Sequence, residues 1–145
     1  MQDTVTTSWQ RFAAQRGRTA GSMQPLRILI VDHDSSSADA LESMLRASDD
    51  SATRVAYSGR SALAIAAEFH PQVVLLDLDL PDMSGYEVAQ LLRERAQRQD
   101  LRLIALTSSR EHAGRELARA AGFERYLLTP VTALDLEQLL QMPSR

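Results

Sequence analysis

The most informative segment of this chain is Gln72-Val-Val-Leu-Leu-Asp77-Leu-Asp79-Leu-Pro81-Asp-Met-Ser-Gly85. Apolar residues run without interruption up to Asp77, and two of them are β-branched valines. This pattern is typical of a strand that is buried on both faces of a parallel sheet. Pro81 and Gly85 then favour a loop over a longer strand. Because ligands bind at the carboxyl ends of strands in open α/β sheets, Asp77 is a candidate for contacting a metal ion or a phosphoryl group.

The composition is that of an ordinary globular domain. The chain has 145 residues, of which 44% are hydrophobic and 24% charged, so one domain with a full core is expected. It has no cysteine, which excludes disulfides and thiolate metal sites. A net charge of -3 argues against direct binding to nucleic acid. No segment is apolar enough to span a membrane and no signal peptide is recognisable, so we expect a cytoplasmic protein without a membrane partner.

Residues 1–25 differ in character from the rest of the chain. They are polar, rich in Thr, Ser, Gln and Gly, and predict an N-terminal tail that precedes a domain over 26–142. A disordered leader, or a true start at Met23, is the favoured interpretation. The alternative is a docking peptide, because Trp9 and Phe12 lie on one side of a short amphipathic segment.

From Leu26 onward, short apolar runs alternate with segments of helical periodicity. Consecutive parallel strands require right-handed crossovers, so the alternation predicts a flavodoxin-like α/β fold. Its five-stranded parallel sheet should carry helices on both faces. The predicted strands are 27–32, 52–57, 72–77, 101–106 and 124–128, and the predicted helices are 35–45, 61–69, 86–96, 110–121 and 132–140.

Polar residues recur where these strands end. Asp32 closes the first strand, Asp77 closes the third, Thr107 follows the fourth and Tyr126 lies in the fifth. In this order and spacing, the segment from Leu26 to the last helix resembles the receiver domain of two-component response regulators. That resemblance implies a signalling module without enzymatic turnover.

The resemblance assigns a role to each of these residues. Asp77 would accept a phosphoryl group, and Mg²⁺ would be held by Asp32, Asp77 and the backbone carbonyl of Asp79, as hard oxygen ligands suit that ion. Thr107 would hydrogen-bond a phosphoryl oxygen. Tyr126 would change its packing when Thr107 moves, which makes the pair a switch.

Two positions depart from the family pattern. His33 stands where receivers usually have a second acidic residue, and Thr129 stands where they have a lysine; the chain has no lysine at all. We therefore expect weakened Mg²⁺ binding and poor phosphorylation of Asp77. For His33, an exposed, hydrogen-bonded side chain is favoured over a metal ligand, because imidazole suits Zn²⁺ or Ni²⁺ better than Mg²⁺. A protonated His33 would replace part of the missing positive charge. By resemblance, the Thr129–Pro130 bond should be cis.

Three functions remain open. The favoured hypothesis is a pseudo-receiver that acts through protein contacts, and the second is a conventional single-domain response regulator phosphorylated on Asp77 by a histidine kinase. The third is a phosphatase of the haloacid dehalogenase type, because Asp77-Leu-Asp79 resembles its motif. That family carries the motif on its first strand, so the position on the third strand argues against it.

The resemblance also indicates the partners. They would be a histidine kinase or phosphotransfer protein and a downstream target protein, with a homodimer as a further expectation. The predicted docking surface is formed by the fourth predicted helix, the fifth strand and the fifth predicted helix, around Arg115, Arg119, Arg125 and Tyr126.

Overall fold

The computed structural model describes residues 25–47, 51–96, 101–108 and 122–141. Strands and helices alternate along these segments, and each strand agrees with its prediction to within a residue at either end. The predicted helix over 110–121 and nearly all of the predicted tail lie outside the described residues. The elements are β1 (Leu26–Val31), α1 (Ser35–Arg46), β2 (Ser51–Ala56), α2 (Gly59–Phe69), β3 (Val73–Asp77), α3 (Gly85–Ala96), β4 (Arg102–Thr107), β5 (Phe123–Leu128) and α4 (Ala133–Gln141).

The five strands form one parallel sheet, as predicted. Their order is β2-β1-β3-β4-β5, and every neighbouring pair is parallel. The chain order reverses between β1 and β3, which is the place where open α/β sheets form ligand crevices. The ends of β1 and β3 are therefore the first place to look for a site.

Helices cover both faces of the sheet, which confirms the predicted flavodoxin-like architecture. Alternate residues of a strand point to opposite faces. In β3, Val73 and Leu75 pack into a core with apolar residues of α1 and α4. Val74 and Leu76 pack into a second core with residues of α2 and α3. All five residues of β3 are buried, as its unbroken apolar sequence predicts.

The helix starts show which side chains cap the backbone. Asp34 caps α1 by accepting a hydrogen bond from Ser36 N at 2.9 Å. A carboxylate satisfies a free N–H at a helix start as well as a hydroxyl does. Helix α2 begins at Gly59, two residues before its predicted start, because Ser58 is the cap. At α4, Thr132 and Asp135 cap each other reciprocally, as expected for a helix opened by Thr132.

The pairing of β4 with β5 contains a bulge. Leu103 pairs with Phe123, whereas the next residue of β4, Ile104, pairs with Arg125, so that Glu124 is an extra residue in β5. The Glu124 carboxylate binds the guanidinium of Arg102, whose Nε lies 2.9 Å from Glu124 Oε2. Arg102 is only 1% exposed. A buried charge is tolerated when it is paired and hydrogen-bonded, as it is here.

Candidate functional site

Acidic side chains and an imidazole meet where β1 and β3 end. Asp32 follows β1 directly and Asp77 is the last residue of β3, and both side chains are buried. His33, the next residue after Asp32, is half exposed. One ligand atom from each of these three residues lies within 4.8 Å of the other two. Neighbouring parallel strands deliver their carboxyl ends to one edge of the sheet, so the convergence follows from the topology.

Hydrogen bonds engage both carboxylate oxygens of Asp77. The His33 ring donates from Nδ1 to Asp77 Oδ2 at 2.6 Å, and the backbone N–H of His33 lies 3.4 Å from the same oxygen. Asp79 N donates to Asp77 Oδ1 at 2.9 Å. The side chain of His33 is 53% exposed, so the contact lies at the mouth of the pocket. The sequence predicted an exposed, hydrogen-bonded histidine at this position but did not identify its partner.

The electrostatics of the pocket raise two pKa values. The pKa of Asp32 is raised from 3.8 to about 6, mainly because the carboxyl group is buried and also because of the nearby charge of Asp77. The hydrogen bond from Asp34 N to Asp32 Oδ1 at 2.9 Å opposes the shift. The hydrogen bond to Asp77 raises the pKa of His33, and the carboxylates around it act in the same direction. The pocket therefore favours a proton on each of these two groups.

The loop from Leu78 to Ser84 is packed closely against the pocket. A Cβ on Gly85 would lie 2.6 Å from the carbonyl oxygen of Asp77 and 2.7 Å from Leu78 Cα, both backbone atoms that cannot move aside. Gly85 is therefore required for α3 to start so near Asp77. Asp79 and Ser84 form an isolated antiparallel bridge across the loop.

Asp82 anchors the same loop to α2, and sequence reasoning missed it. Its two carboxylate oxygens accept hydrogen bonds from Gly59 N at 2.8 Å and Arg60 N at 2.9 Å. These bonds hold the pKa of Asp82 below its usual value. A carboxylate at a helix N-terminus is favoured by the free N–H groups and by the helix dipole. No local pattern reveals the contact, because it joins residues far apart in the chain.

The remaining predicted residues lie at the same edge of the sheet or beside it. Thr107 is buried at the end of β4, and its carbonyl accepts a hydrogen bond from Thr129 N at 2.9 Å. The Thr129–Pro130 bond is cis, as expected. Tyr126 packs against the core of α2 and α3. Arg125 is half buried in β5, whereas positions 115 and 119 of the predicted docking surface lie outside the described residues.

The donor set does not suit Mg²⁺. Magnesium requires near-ideal octahedral coordination by hard oxygen ligands. Here the convergent groups are two carboxylates and one imidazole, and the imidazole contacts Asp77 directly at hydrogen-bond distance. His33 thus takes the place where a second carboxylate would contact the ion.

The raised pKa of Asp32 predicts how stability depends on pH. A folded-state pKa above the unfolded value stabilises the fold most below pH 4, and this contribution is lost as pH rises through about 6. The raised pKa of His33 acts in the same direction at higher pH. Between pH 4 and 7 in EDTA, the free energy of unfolding should therefore fall relative to that of Asp32→Asn, by up to about 3 kcal/mol.

Urea denaturation at several pH values measures this difference. The matched control is Asp39→Asn, which removes an exposed carboxylate from α1. Its free energy of unfolding should change with pH as that of the wild-type protein does. A wild-type stability that rises over this range relative to Asp32→Asn would contradict the prediction.

Two buried carboxylates lie side by side at the ends of the first and third strands. They stand at the switch point of a parallel sheet of order β2-β1-β3-β4-β5. This arrangement defines a receiver-type signalling domain. Comparison with known sequences agrees. A family model, the response regulator receiver domain, matches residues 28–141, and the chain belongs to this family. It is a receiver domain of two-component signalling.

Individual relatives support the assignment. The chain is 30% identical over 105 residues to the polar-differentiation response regulator DivK of Brucella ovis. The aligned region covers 72% of this chain and 85% of that protein. The chemotaxis protein CheY4 of Vibrio cholerae superimposes with a TM-score of 0.75 at 25% identity, covering 81% of this chain and 97% of that one.

A third similar structure is a complex. It is the co-crystal structure of the Saccharomyces cerevisiae histidine phosphotransfer signalling protein Ypd1 with the receiver domain of its downstream response regulator Ssk1. The match has a TM-score of 0.73 at 25% identity and covers 82% of this chain and 88% of that one. Among the described residues, no helix is both long and apolar enough to cross a membrane.

Proposed function

We propose that this receiver is a pseudo-receiver: it acts in two-component signalling mainly through protein contacts of its unphosphorylated form, and Asp77 is phosphorylated poorly. The observation that carries the proposal is the 2.6 Å hydrogen bond between His33 Nδ1 and Asp77 Oδ2. In this proposal the protein is a signalling module of the cytoplasm and not an enzyme.

The hydrogen bond lowers the reactivity of the phosphoacceptor. A carboxylate oxygen must present a lone pair to the phosphorus atom, and Asp77 Oδ2 is engaged with the His33 ring while Oδ1 is engaged with Asp79 N. A hydrogen bond to a charged group contributes roughly 1.5–3 kcal/mol. If it must be broken before transfer, the rate falls by about 10-fold to 100-fold.

The charge distribution acts in the same sense. Phosphoryl transfer depends largely on positioning and on neutralising the charge of the transferring group. At the position where receivers carry a lysine, this chain has Thr129, which cannot supply a cation, and the sequence contains no lysine elsewhere. When it is protonated, His33 is paired with Asp77, so that its positive charge is already used within the pocket.

The second candidate is a conventional single-domain response regulator. It is favoured by the placement of Asp77, which is buried at the end of β3 with Thr107 buried at the end of β4. In either case we propose a histidine kinase or a phosphotransfer protein as the partner, since the similar Ssk1 receiver was crystallised with Ypd1. A downstream target protein, or a second copy of this chain, would dock on the surface that includes Arg125 and Tyr126.

Incubation with acetyl phosphate and Mg²⁺, followed by intact mass measurement, tests the proposal. Because Asp77 is hydrogen-bonded to His33 and the phosphoryl group finds no lysine, fewer than about a tenth of the chains should gain a phosphoryl group under conditions that label an ordinary receiver. Asp77→Asn is the control for labelling at other residues.

Efficient labelling of Asp77 would contradict the proposal. A stoichiometric gain of one phosphoryl group, lost in Asp77→Asn, would exclude the pseudo-receiver and establish the conventional regulator in its place.

A further inference from the structure

We propose that Asp32, His33 and Asp77 bind a borderline divalent cation of the Zn²⁺ type in preference to Mg²⁺, through one imidazole nitrogen and two carboxylate oxygens. These three residues form the pocket of the proposed function, whose donor atoms match Mg²⁺ poorly.

One ligand atom of each residue lies within 4.8 Å of the others, near enough to reach one small ion once the hydrogen bond between His33 and Asp77 opens. Zinc–ligand bonds of about 2.0–2.2 Å place neighbouring ligand atoms roughly 3.3–3.5 Å apart. His33 Nδ1 lies 3.8 Å from Asp32 Oδ1 and 2.6 Å from Asp77 Oδ2. The first distance is longer and the second shorter than a zinc site requires, so the His33 side chain, which is 53% exposed, would have to move away from Asp77 when an ion binds.

The neighbouring acidic residues do not complete an all-oxygen site. The Asp34 carboxylate caps α1 through Ser36 N, and the side chain of Asp79 is exposed in the loop. The three convergent ligands therefore leave a position for water, which can reach the pocket past His33. Three protein ligands with one water is a common arrangement around zinc.

The donor chemistry determines the preference. Imidazole nitrogen binds Zn²⁺, Ni²⁺ and Cu²⁺ well, and affinity for such donors rises along the first transition row. Magnesium gains little from nitrogen and loses its hydration water reluctantly. A carboxylate at position 33 would favour Mg²⁺, so the single residue His33 sets the selectivity.

Metal binding would replace the proton that His33 shares with Asp77. The Nδ1 lone pair would bind the ion, and the proton would be released to solvent, because metal ligands must be deprotonated. The Asp77 oxygen would remain occupied, now by the cation. The inference is thus compatible with the proposed function but does not require it.

Calorimetric titration of the full chain, prepared without a histidine tag, tests the inference. We expect one Zn²⁺ per chain at pH 7.5, with an affinity at least about 10-fold higher than that for Mg²⁺. The variants His33→Asn and Asp77→Asn should each weaken Zn²⁺ binding by about 10-fold or more. Visible absorption of the Co²⁺ complex gives an independent readout, because its bands should shift when the nitrogen ligand is removed.

The matched control is His70→Asn. His70 is an exposed histidine at the end of α2 with a φ of 53°, a conformation that asparagine tolerates. This variant should bind Zn²⁺ as the wild-type protein does. Binding of Mg²⁺ as tight as that of Zn²⁺, or equal Zn²⁺ binding by His33→Asn and His70→Asn, would overturn the inference.

The two proposals can fail separately. If Zn²⁺ does not bind and acetyl phosphate still leaves Asp77 unlabelled, the metal inference is wrong and the pseudo-receiver stands. If Asp77 becomes fully labelled, the pseudo-receiver is wrong, and the titration still decides which ion the pocket selects.

Discussion

Replacing His33 by Asp and Thr129 by Lys in the same chain is expected to raise the rate at which acetyl phosphate labels Asp77 by about 100-fold or more. The first change removes the 2.6 Å hydrogen bond to Asp77 Oδ2 and adds a carboxylate for Mg²⁺. The second adds an ammonium group at the end of β5, where the Thr129 backbone N–H bonds to Thr107. A time course of intact mass at fixed Mg²⁺ measures the rate.

The single variants separate the two contributions. His33→Asp should also strengthen Mg²⁺ binding, whereas Thr129→Lys should mainly increase the fraction of chains that carry the acylphosphate. Adding Asp77→Asn to the double variant is the control, and it should abolish the labelling. A double variant that is labelled no faster than the wild-type protein would show that these two residues do not limit transfer.

The second large effect concerns the buried ion pair at the opposite end of the sheet. We expect Glu124→Ala to lower the free energy of unfolding by about 3 kcal/mol, because it removes the Glu124 carboxylate that binds the buried guanidinium of Arg102. Urea denaturation measures the loss. The double variant Arg102→Met, Glu124→Leu removes both charges and should recover most of it, since apolar replacements of buried pairs are often neutral.

An exposed pair provides the matched control. Arg46 and Glu42 lie one helical turn apart on α1, and Arg46 Nη2 is 3.1 Å from Glu42 Oε2. The side chain of Arg46 is 70% exposed. Arg46→Ala should cost less than about 0.5 kcal/mol, because solvent screens such pairs. A Glu124→Ala variant that is no less stable than Arg46→Ala would contradict the view that burial decides the cost.

The sequence predicted the sheet well because its strands are simple. β1, β3 and β4 are nearly continuous apolar runs, and such runs are expected where helices cover both faces. The meeting of Asp32 and Asp77 then followed from the parallel arrangement alone. These predictions needed only the residue pattern along single segments and the handedness of the crossovers.

The contacts within the site could not be obtained in the same way. The direction of the His33 ring depends on its side-chain rotamer, and the anchoring of Gly59 by Asp82 joins a helix start to a loop that is distant in sequence. Arg102 shows the same limit, because a single arginine in an apolar strand indicates a buried charge only when its partner is known. Each of these contacts depends on tertiary packing.

The extra residue in β5 changes which residues of that strand share a face. Phe123 and Tyr126 are three positions apart, so in a regular strand they would lie on opposite faces. Both nevertheless pack into the core of α2 and α3, while Leu127 packs on the other side. The bulge at Glu124 shifts by one position the alternation of side chains between the two faces of the sheet. Odd-numbered Phe123 faces α3 before the bulge, and even-numbered Tyr126 faces α3 after it. A one-residue change in parity thus directs the aromatic ring of the predicted switch toward the layer that contains the loop after Asp77, and away from α1 and α4.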